Sequence, residues 1–288
     1  VVKNLVPKQK KAPWAEDCFG KESATEKAED SSADTLHRTS FMPGFGVNAQ
    51  LASWADLFAG VHRGFSPVGP GQVEEIQPES SWNYEMGIRV HPGVQIDIVG
   101  FVNDYTNLTG QCTLSSGCGD DEIGLQYNGG KALIYGAETS MAHTLYLPAG
   151  MAIPIQLTYT YTGTRFQSDF ISSFSQFGSV KTGYRLPYVP AHQGAVQFTL
   201  EHPNIHITLV GQLRGDMLDK AGPQGPVPEN SGVPTLGLLD ASLAIPLGQR
   251  FRLYATGSNI LGNKQLTSWR PMGAKPTAPR QIMVGLKI

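Results

Sequence analysis

The chain has 288 residues, with 22 Lys plus Arg against 24 Asp plus Glu and a formal charge of −2 at pH 7. That balance argues against nucleic acid as a partner, because neutralising a phosphate backbone takes a strongly basic surface. Forty percent of the residues are hydrophobic, which suits a soluble domain and a membrane barrel alike; no stretch approaches the roughly 18 unbroken apolar residues of a membrane helix, so a bilayer-spanning chain of this composition must be a closed sheet.

The first residues, VVKNLVPKQKK, include no Met and no charged-then-apolar leader, so the natural start is expected upstream, with a start left after leader removal as the alternative. Residues 1–40 are charged and lack periodicity, as in APWAEDCFGKESATEKAEDSSADT, and are expected to form an extracellular loop with partial disorder. Residues 41–288 carry a different pattern. FGVNAQL sets Phe45, Val47, Ala49 and Leu51 against Gly46, Asn48 and Gln50. The segment DLFAGVHRGF is extended but its facing is not legible. WNYEMGIRV places Trp82, Tyr84, Met86 and Ile88 opposite Asn83, Glu85 and Arg89, and VQIDIVGFVN continues with Ile96, Ile98 and Val102 opposite Asp97 and Asn103. IPIQLTYTYTG alternates from Ile153 to Thr162 almost without a fault, and IHITLVGQLR, RFRLYATGS and RQIMVGLKI repeat the pattern to the end of the chain. A strand has a side-chain period of two, so about eleven strands of this kind are expected, each with one apolar and one polar face.

The connections alternate in length. HPG (91–93), LPAG (147–150), HPN (202–204) and PLGQ (246–249) are short, whereas 66–80, 106–128, 163–188, 214–234 and 261–279 are long and rich in Gly, Pro and polar residues. Short turns at one rim and long loops at the other characterise outer-membrane barrels, and a compact soluble domain seldom carries several long loops. The polar parity agrees. It holds Glu85, Arg89, Asp97, Glu138, Glu201, Arg214, Asp240 and Arg252, which would each cost several kcal/mol in a sandwich core but little in a wet lumen. Trp82, Tyr84, Tyr159 and Tyr161 fall on the apolar parity near the long-loop rim, where an aromatic girdle belongs.

Three cysteines are present, Cys18, Cys112 and Cys118. Cys112 and Cys118 flank TLSSG at a spacing suited to a small loop disulfide, with two free thiols as the alternative, and Cys18 has no visible mate. Zinc is not expected, for no further Cys pair or helical His pair completes a site. GLQYNGGK (124–131) imitates a phosphate loop but has Gly130 where Lys is required and Ala132 where Ser or Thr should follow, so a strand-leading turn is expected. His202 and His206 are separated by a Pro-containing turn and share no helical face. With no nucleophile elbow and no distinct carboxylate pair, an enzyme is not expected.

The segments LFAGVHRGFSPVGPG (57–71), PESSWNYEMGIRV (78–90), VGFVNDYTNLTGQCT (99–113), NGGKALIYGAE (128–138), LPYVPAHQ (186–193), GQLRGDMLDKAG (211–222), GSNILGNKQ (257–265) and RPMGAKPTAPRQIMVGLKI (270–288) resemble the barrel of TonB-dependent outer-membrane receptors, closest to the iron(III) dicitrate receptor-like group. The resemblance spans residues 40–288 and lies in order and spacing. It implies an all-β fold: an antiparallel transmembrane β-barrel, of which this chain is the C-terminal half, about eleven strands of a 22-stranded barrel with a plugged lumen. The plug, the TonB-contacting segment and the first half of the barrel would lie outside this chain, and since it stops at Ile288 without the terminal aromatic residue usual in the family, a few terminal residues are expected to be missing as well.

The resemblance further implies import of a ferric siderophore or ferric citrate-type chelate across the outer membrane of a Gram-negative bacterium, with TonB as a partner through an N-terminal region missing here, and lipid and lipopolysaccharide around the barrel. No resident cofactor is implied, since iron arrives as the chelated ligand. The loops at 66–80 and 106–128 would close over the ligand, with Cys112 and Cys118 tethering a tip. An anionic or polar chelate needs Arg-like donors, and the candidates are Arg63, Arg165, Arg214 and Arg270, joined by Asn107 and Gln111 from the lid loop. A loop salt bridge or a lipopolysaccharide contact is the competing role for each arginine. A passive porin-like channel and a soluble β-rich binding module are the alternative functions.

Overall fold

The computed structural model describes residues 40–288 apart from 70–75, 114–122, 230, 249, 271 and 272. The irregular N-terminal segment expected from sequence, and with it Cys18, lies outside the described residues, as does Cys118.

In chain order, β1 (Gly44–Ala52) and β2 (Ala55–Ser66) form a hairpin, followed by β3 (Glu79–Val90) and β4 (Gln95–Thr106). The next loop contains its own small pair, β5 (Thr109–Gln111) and β6 (Gln126–Asn128). Two 16-residue strands follow, β7 (Ala132–Leu147) and β8 (Met151–Phe166), joined by one 3-10 turn at Pro148–Gly150. A loop pair, β9 (Phe170–Ile171) and β10 (Ser179–Val180), precedes β11 (His192–His202) and β12 (Ile205–Arg214). The pair β13 (Met217–Leu218) and β14 (Gly232–Val233) precedes β15 (Leu236–Leu247) and β16 (Phe251–Ser258). Last come the pair β17 (Leu266–Ser268) and β18 (Lys275–Pro276) and then β19 (Gln281–Lys287).

Eleven of these strands form one sheet in the order β1-β2-β3-β4-β7-β8-β11-β12-β15-β16-β19. Each pairs antiparallel with its neighbour, so the sheet is an up-and-down meander. Paired residues share a face, and the register therefore carries the facing from strand to strand. Ile88, Ile98, Thr139, Tyr159, Gly194 and Leu213 form one continuous row. Arg89, Asp97, Ser140, Thr158, Ala195 and Gln212 form a row on the other face. The alternation read from the sequence is thus a single two-faced sheet.

Among the described residues nothing packs upon the apolar face. Met86 is 58% exposed, Leu213 58% and Phe198 45%. Soluble proteins rarely leave a contiguous oily surface of this extent uncovered. Trp82, Tyr84, Tyr135, Tyr159 and Tyr161 are exposed toward the long-loop end, and Trp54 and Phe251 toward the short-turn end. On the polar face, Arg89 Nε donates to Asp97 Oδ1 at 2.7 Å and its guanidinium lies over the Phe58 ring, 5.7 Å from the centroid.

β2, whose facing is not legible in sequence, takes it from β3. Asp56, Phe58, Gly60 and His62 stand opposite Arg89, Gly87, Glu85 and Asn83, leaving Leu57, Ala59, Val61 and Arg63 on the apolar face. Phe58 fits the polar face because Gly87 leaves room: a Cβ there would lie 2.5 Å from Phe58 Cζ. The device recurs with Phe101 opposite Gly136, Tyr135 opposite Gly163 and Tyr254 opposite Gly285. Each ring covers the backbone that a glycine exposes and so pins the register of its strand pair.

The buried core sits in the loops rather than in the wall. Phe166, Ala132, Cys112, Val180, Phe174, Leu186 and Phe177 form one cluster, packed by Tyr127, Phe170 and Tyr184. Phe177 meets Phe166, Phe170 and Phe174 edge to face, with centroids 5.1–6.0 Å apart. Ala132 and Phe166 share a register position on the polar face. The long loops therefore fold inward over that face and leave the apolar face bare.

Candidate functional site

β12 ends in Arg214, which the register places between Gln193 of β11 and Leu236 of β15. These three residues, with Thr158, Thr160 and Gln212, line a cavity of about 430 Å³ on the polar face. Arg214 Nη2 donates to the Pro234 carbonyl at 3.3 Å. Its Nε is buried without a hydrogen-bond partner. A buried, unsatisfied N–H on a permanent cation is costly until an anionic or carbonyl oxygen reaches it. Two glutamines and two threonines around it can accept or donate, and Leu236 and Leu238 give the cavity an apolar side.

Arg270 is placed differently. Its side chain is 12% exposed and its Nη2 meets Asp219 Oδ2 at 3.4 Å, while Nη1 donates to Ser175 Oγ at 2.7 Å. The Tyr188 hydroxyl donates to the other oxygen of Asp219 and lies 3.3 Å from Ser268 Oγ. Trp269 Nε1 donates to the Gly232 carbonyl at 2.8 Å. These contacts tie the loops containing β9–β10, β13–β14 and β17–β18 to one another. Burial, and then the bond to the Asp219 carboxylate, push the Tyr188 phenol above its usual value. Nearby, Asp169 accepts from the Thr182 hydroxyl at 2.6 Å and from its backbone N–H at 2.7 Å. Those two bonds hold its carboxyl below the usual range.

Asn107 and Gln111 lie in the loop that contains β5 and β6. Asn107 has φ 55° and donates to Gln77 Oε1 at 3.4 Å. Gln111 pairs with Gln126, whose side-chain oxygen accepts from Gly69 N–H at 2.9 Å. Thr109 N–H donates to Glu79 Oε2 at 2.8 Å. The β5–β6 pair is therefore docked, with Tyr127 stacked on Phe174 at 5.8 Å. Gly130, at φ 65° between β6 and β7, is part of the strand-leading turn expected from sequence. Cys112 is 1% exposed and disulfide-bonded; the expected mate, Cys118, lies outside the described residues.

Arg63 and Arg165 do not join Arg214. The register runs Arg63, Trp82, Asp104, Leu133, Arg165 in one row, on the apolar face. Of the six expected ligand contacts the structure thus places one, Arg214, in the cavity, one in the inter-loop ion pair, two in the β5–β6 loop and two on the opposite face. Gln193 and Gln212 beside Arg214, and Tyr188, Asp219 and Ser175 around Arg270, were not singled out in sequence. Nothing local in the sequence marks the partner of any of them. Among the described residues no group of three or more His, Cys, Asp or Glu converges as a metal site requires.

A two-faced antiparallel meander, bare on its apolar side and capped by folded loops on its polar side, defines a membrane-barrel wall. Residues 20–260 match the family described as TonB dependent receptor-like, beta-barrel, and the chain belongs to that family. Its fold is similar to the ferric citrate transporter FecA in the unliganded form, at TM-score 0.64 and 18% identity over 85% of this chain and 38% of that one. The siderophore receptor PiuA from Acinetobacter baumannii gives TM-score 0.63 at 15% identity over 84% and 35%. The copper transporter OprC gives 0.61 at 15% over 84% and 39%. The chain thus spans well under half the length of these solved proteins. No curated protein matches it.

Proposed function

We propose that this chain is part of the ligand-receiving wall of a TonB-dependent receptor that imports a ferric chelate, of siderophore or citrate type, across the outer membrane of a Gram-negative bacterium. The observation that carries it is the cavity on the polar face at Arg214, whose guanidinium keeps a buried Nε without a hydrogen-bond partner. A negatively charged chelate gives such a group the charge-assisted hydrogen bonds it lacks. Iron enters as cargo, held by the chelator. TonB and the plug act through parts of the receptor beyond this chain. The neighbours named for ferric citrate, a siderophore and copper carry different cargoes, so the chelate is set by side chains and not by the fold. The subtype proposed here, the iron(III) dicitrate-like group, rests on the segments quoted from sequence.

The test is uptake of radiolabelled iron in cells whose only route for a chosen chelate is this receptor, offered citrate, hydroxamate and catecholate complexes in turn. Uptake of at least one, dependent on the proton-motive force and reduced in Arg214→Gln, supports the proposal. Energy-independent leakage of small solutes would instead favour a passive channel.

A further inference from the structure

The row that carries Arg214 also carries an acid. From β7 to β15 the register on the polar face runs Glu138, Thr160, Gln193, Arg214, Leu236. The last four line the cavity of about 430 Å³, and Glu138 stands at its margin, one strand beyond Thr160. Glu138 is exposed and makes no hydrogen bond or ion pair with another described residue. Asp97, the one acid on the polar face of β4, is held by Arg89 Nε at 2.7 Å and by Ser140 Oγ at 3.4 Å. Between Glu138 and Arg214 the row contains only a hydroxyl and an amide. With adjacent strands about 4.8 Å apart, the carboxylate and the guanidinium are anchored roughly 14 Å apart at the backbone.

The two ends of the row differ in chemistry. Phe101, on the polar face of β4, covers Gly136, the polar-face residue of β7 next above Glu138 toward the long loops. A ring beside a carboxylate suits an ammonium group, which is attracted by the charge and by the π face. At the other end the Arg214 guanidinium offers donors to ligand oxygens, with Leu236 and Leu238 beside it. A wholly anionic complex lying along the row would set negative charge against Glu138, and like charges across a binding surface are a means of rejecting a ligand.

We propose that Glu138 is a specificity-determining residue: with Arg214 it selects a ferric chelate of low net charge, with a protonated primary amine at one end and iron-bound oxygens at the other, over a wholly anionic complex. The inference rests on the reading of the Arg214 cavity as ligand-receiving and narrows that reading to one charge class of chelate.

The test is equilibrium binding of four radiolabelled ferric complexes to the receptor in isolated outer membranes: a linear trihydroxamate ending in a primary amine, its N-acetylated derivative, ferric citrate and a tris-catecholate. The amine-ended complex is expected to bind roughly tenfold more tightly than its acetylated form, the scale of one charge-assisted hydrogen bond. Glu138→Gln should abolish that difference by weakening the amine-ended complex alone, and high salt should shrink it. Arg214→Gln should weaken both hydroxamates alike. Glu201→Gln, which removes an acid near the short-turn end of β11, should leave the difference intact. Equal binding of the two hydroxamates overturns the assignment, as does equal weakening of both by Glu138→Gln, which a merely structural role would give. Tightest binding of citrate or the catecholate also overturns it, while leaving the cavity a ligand site. Failure of all four to bind overturns the ligand-receiving reading, and this inference with it.

Discussion

Arg214 and Arg270 show how one residue type takes two roles at the same rim. Arg214 ends a wall strand and lines a cavity, whereas Arg270 is held by Asp219 and Ser175 in the loops. Arg214→Gln should therefore weaken chelate binding by about 1.5–3 kcal/mol, roughly 10- to 150-fold in Kd, without loosening the loops; equilibrium binding with limited proteolysis alongside checks both halves. Arg270→Met should do the reverse. It leaves Asp219 12% exposed with its charge uncompensated, a loss of roughly 3 kcal/mol where one partner of a buried pair is removed, read as faster protease cleavage between 167 and 191. Tyr188 adds a pH dependence. Its folded value lies above the ordinary 10.0, so both states are protonated at neutral pH and the contribution is intact there. As pH rises past 10 the unfolded chain loses the proton first, and stability falls. Loop protection should decline in that range, and Tyr188→Phe should flatten the decline.

The strand is the scale at which register is set, and the glycine–aromatic pairs set it. Gly87→Val drives a branched side chain into Phe58 and into the backbone of β4, for which about 1–3 kcal/mol of overpacking is expected. Thermal unfolding in detergent should show the loss, with Phe58→Ala recovering part of it in the double variant. A full additive loss would mean the ring and the glycine are independent. These pairs also explain what sequence conceals. About eleven strands, and the facing of those that alternate cleanly, are legible because hydrophobic alternation is a local signal. β2 is not, since Phe58 breaks the parity and becomes admissible only beside a glycine 29 positions away. The same holds at the site. The lumen parity of Arg214 follows from its own strand, whereas the sidedness of Arg63 and Arg165 needs the register of four neighbours. The Arg270–Asp219 pair joins residues 51 positions apart, and the hairpins inside the long loops are too short for any period to register.

For the molecule as a whole, the distribution of burial decides the solvent. A soluble domain would place its best-packed residues between layers. Here they gather in the loop cap, while the wall shows oily side chains on one face and charged ones, the Arg89–Asp97 pair among them, on the other. Exchanging hydrocarbon for water on that apolar face would cost about 25 cal/mol per Å². By register the cavity at Thr158, Thr160 and Arg214 lies level with Tyr159 and Tyr161 on the opposite face of the same wall.

The most direct check is a cysteine scan of β8 from Ile153→Cys to Thr162→Cys, each carrying a fluorophore, in vesicles containing lipid with a quencher on its acyl chain. Quenching at positions 153, 155, 157 and 159 with little at 156, 158 and 160 is the predicted result. Uniform quenching, or none at the odd positions, would show that these side chains meet something other than hydrocarbon, and the barrel-wall assignment would fail with them.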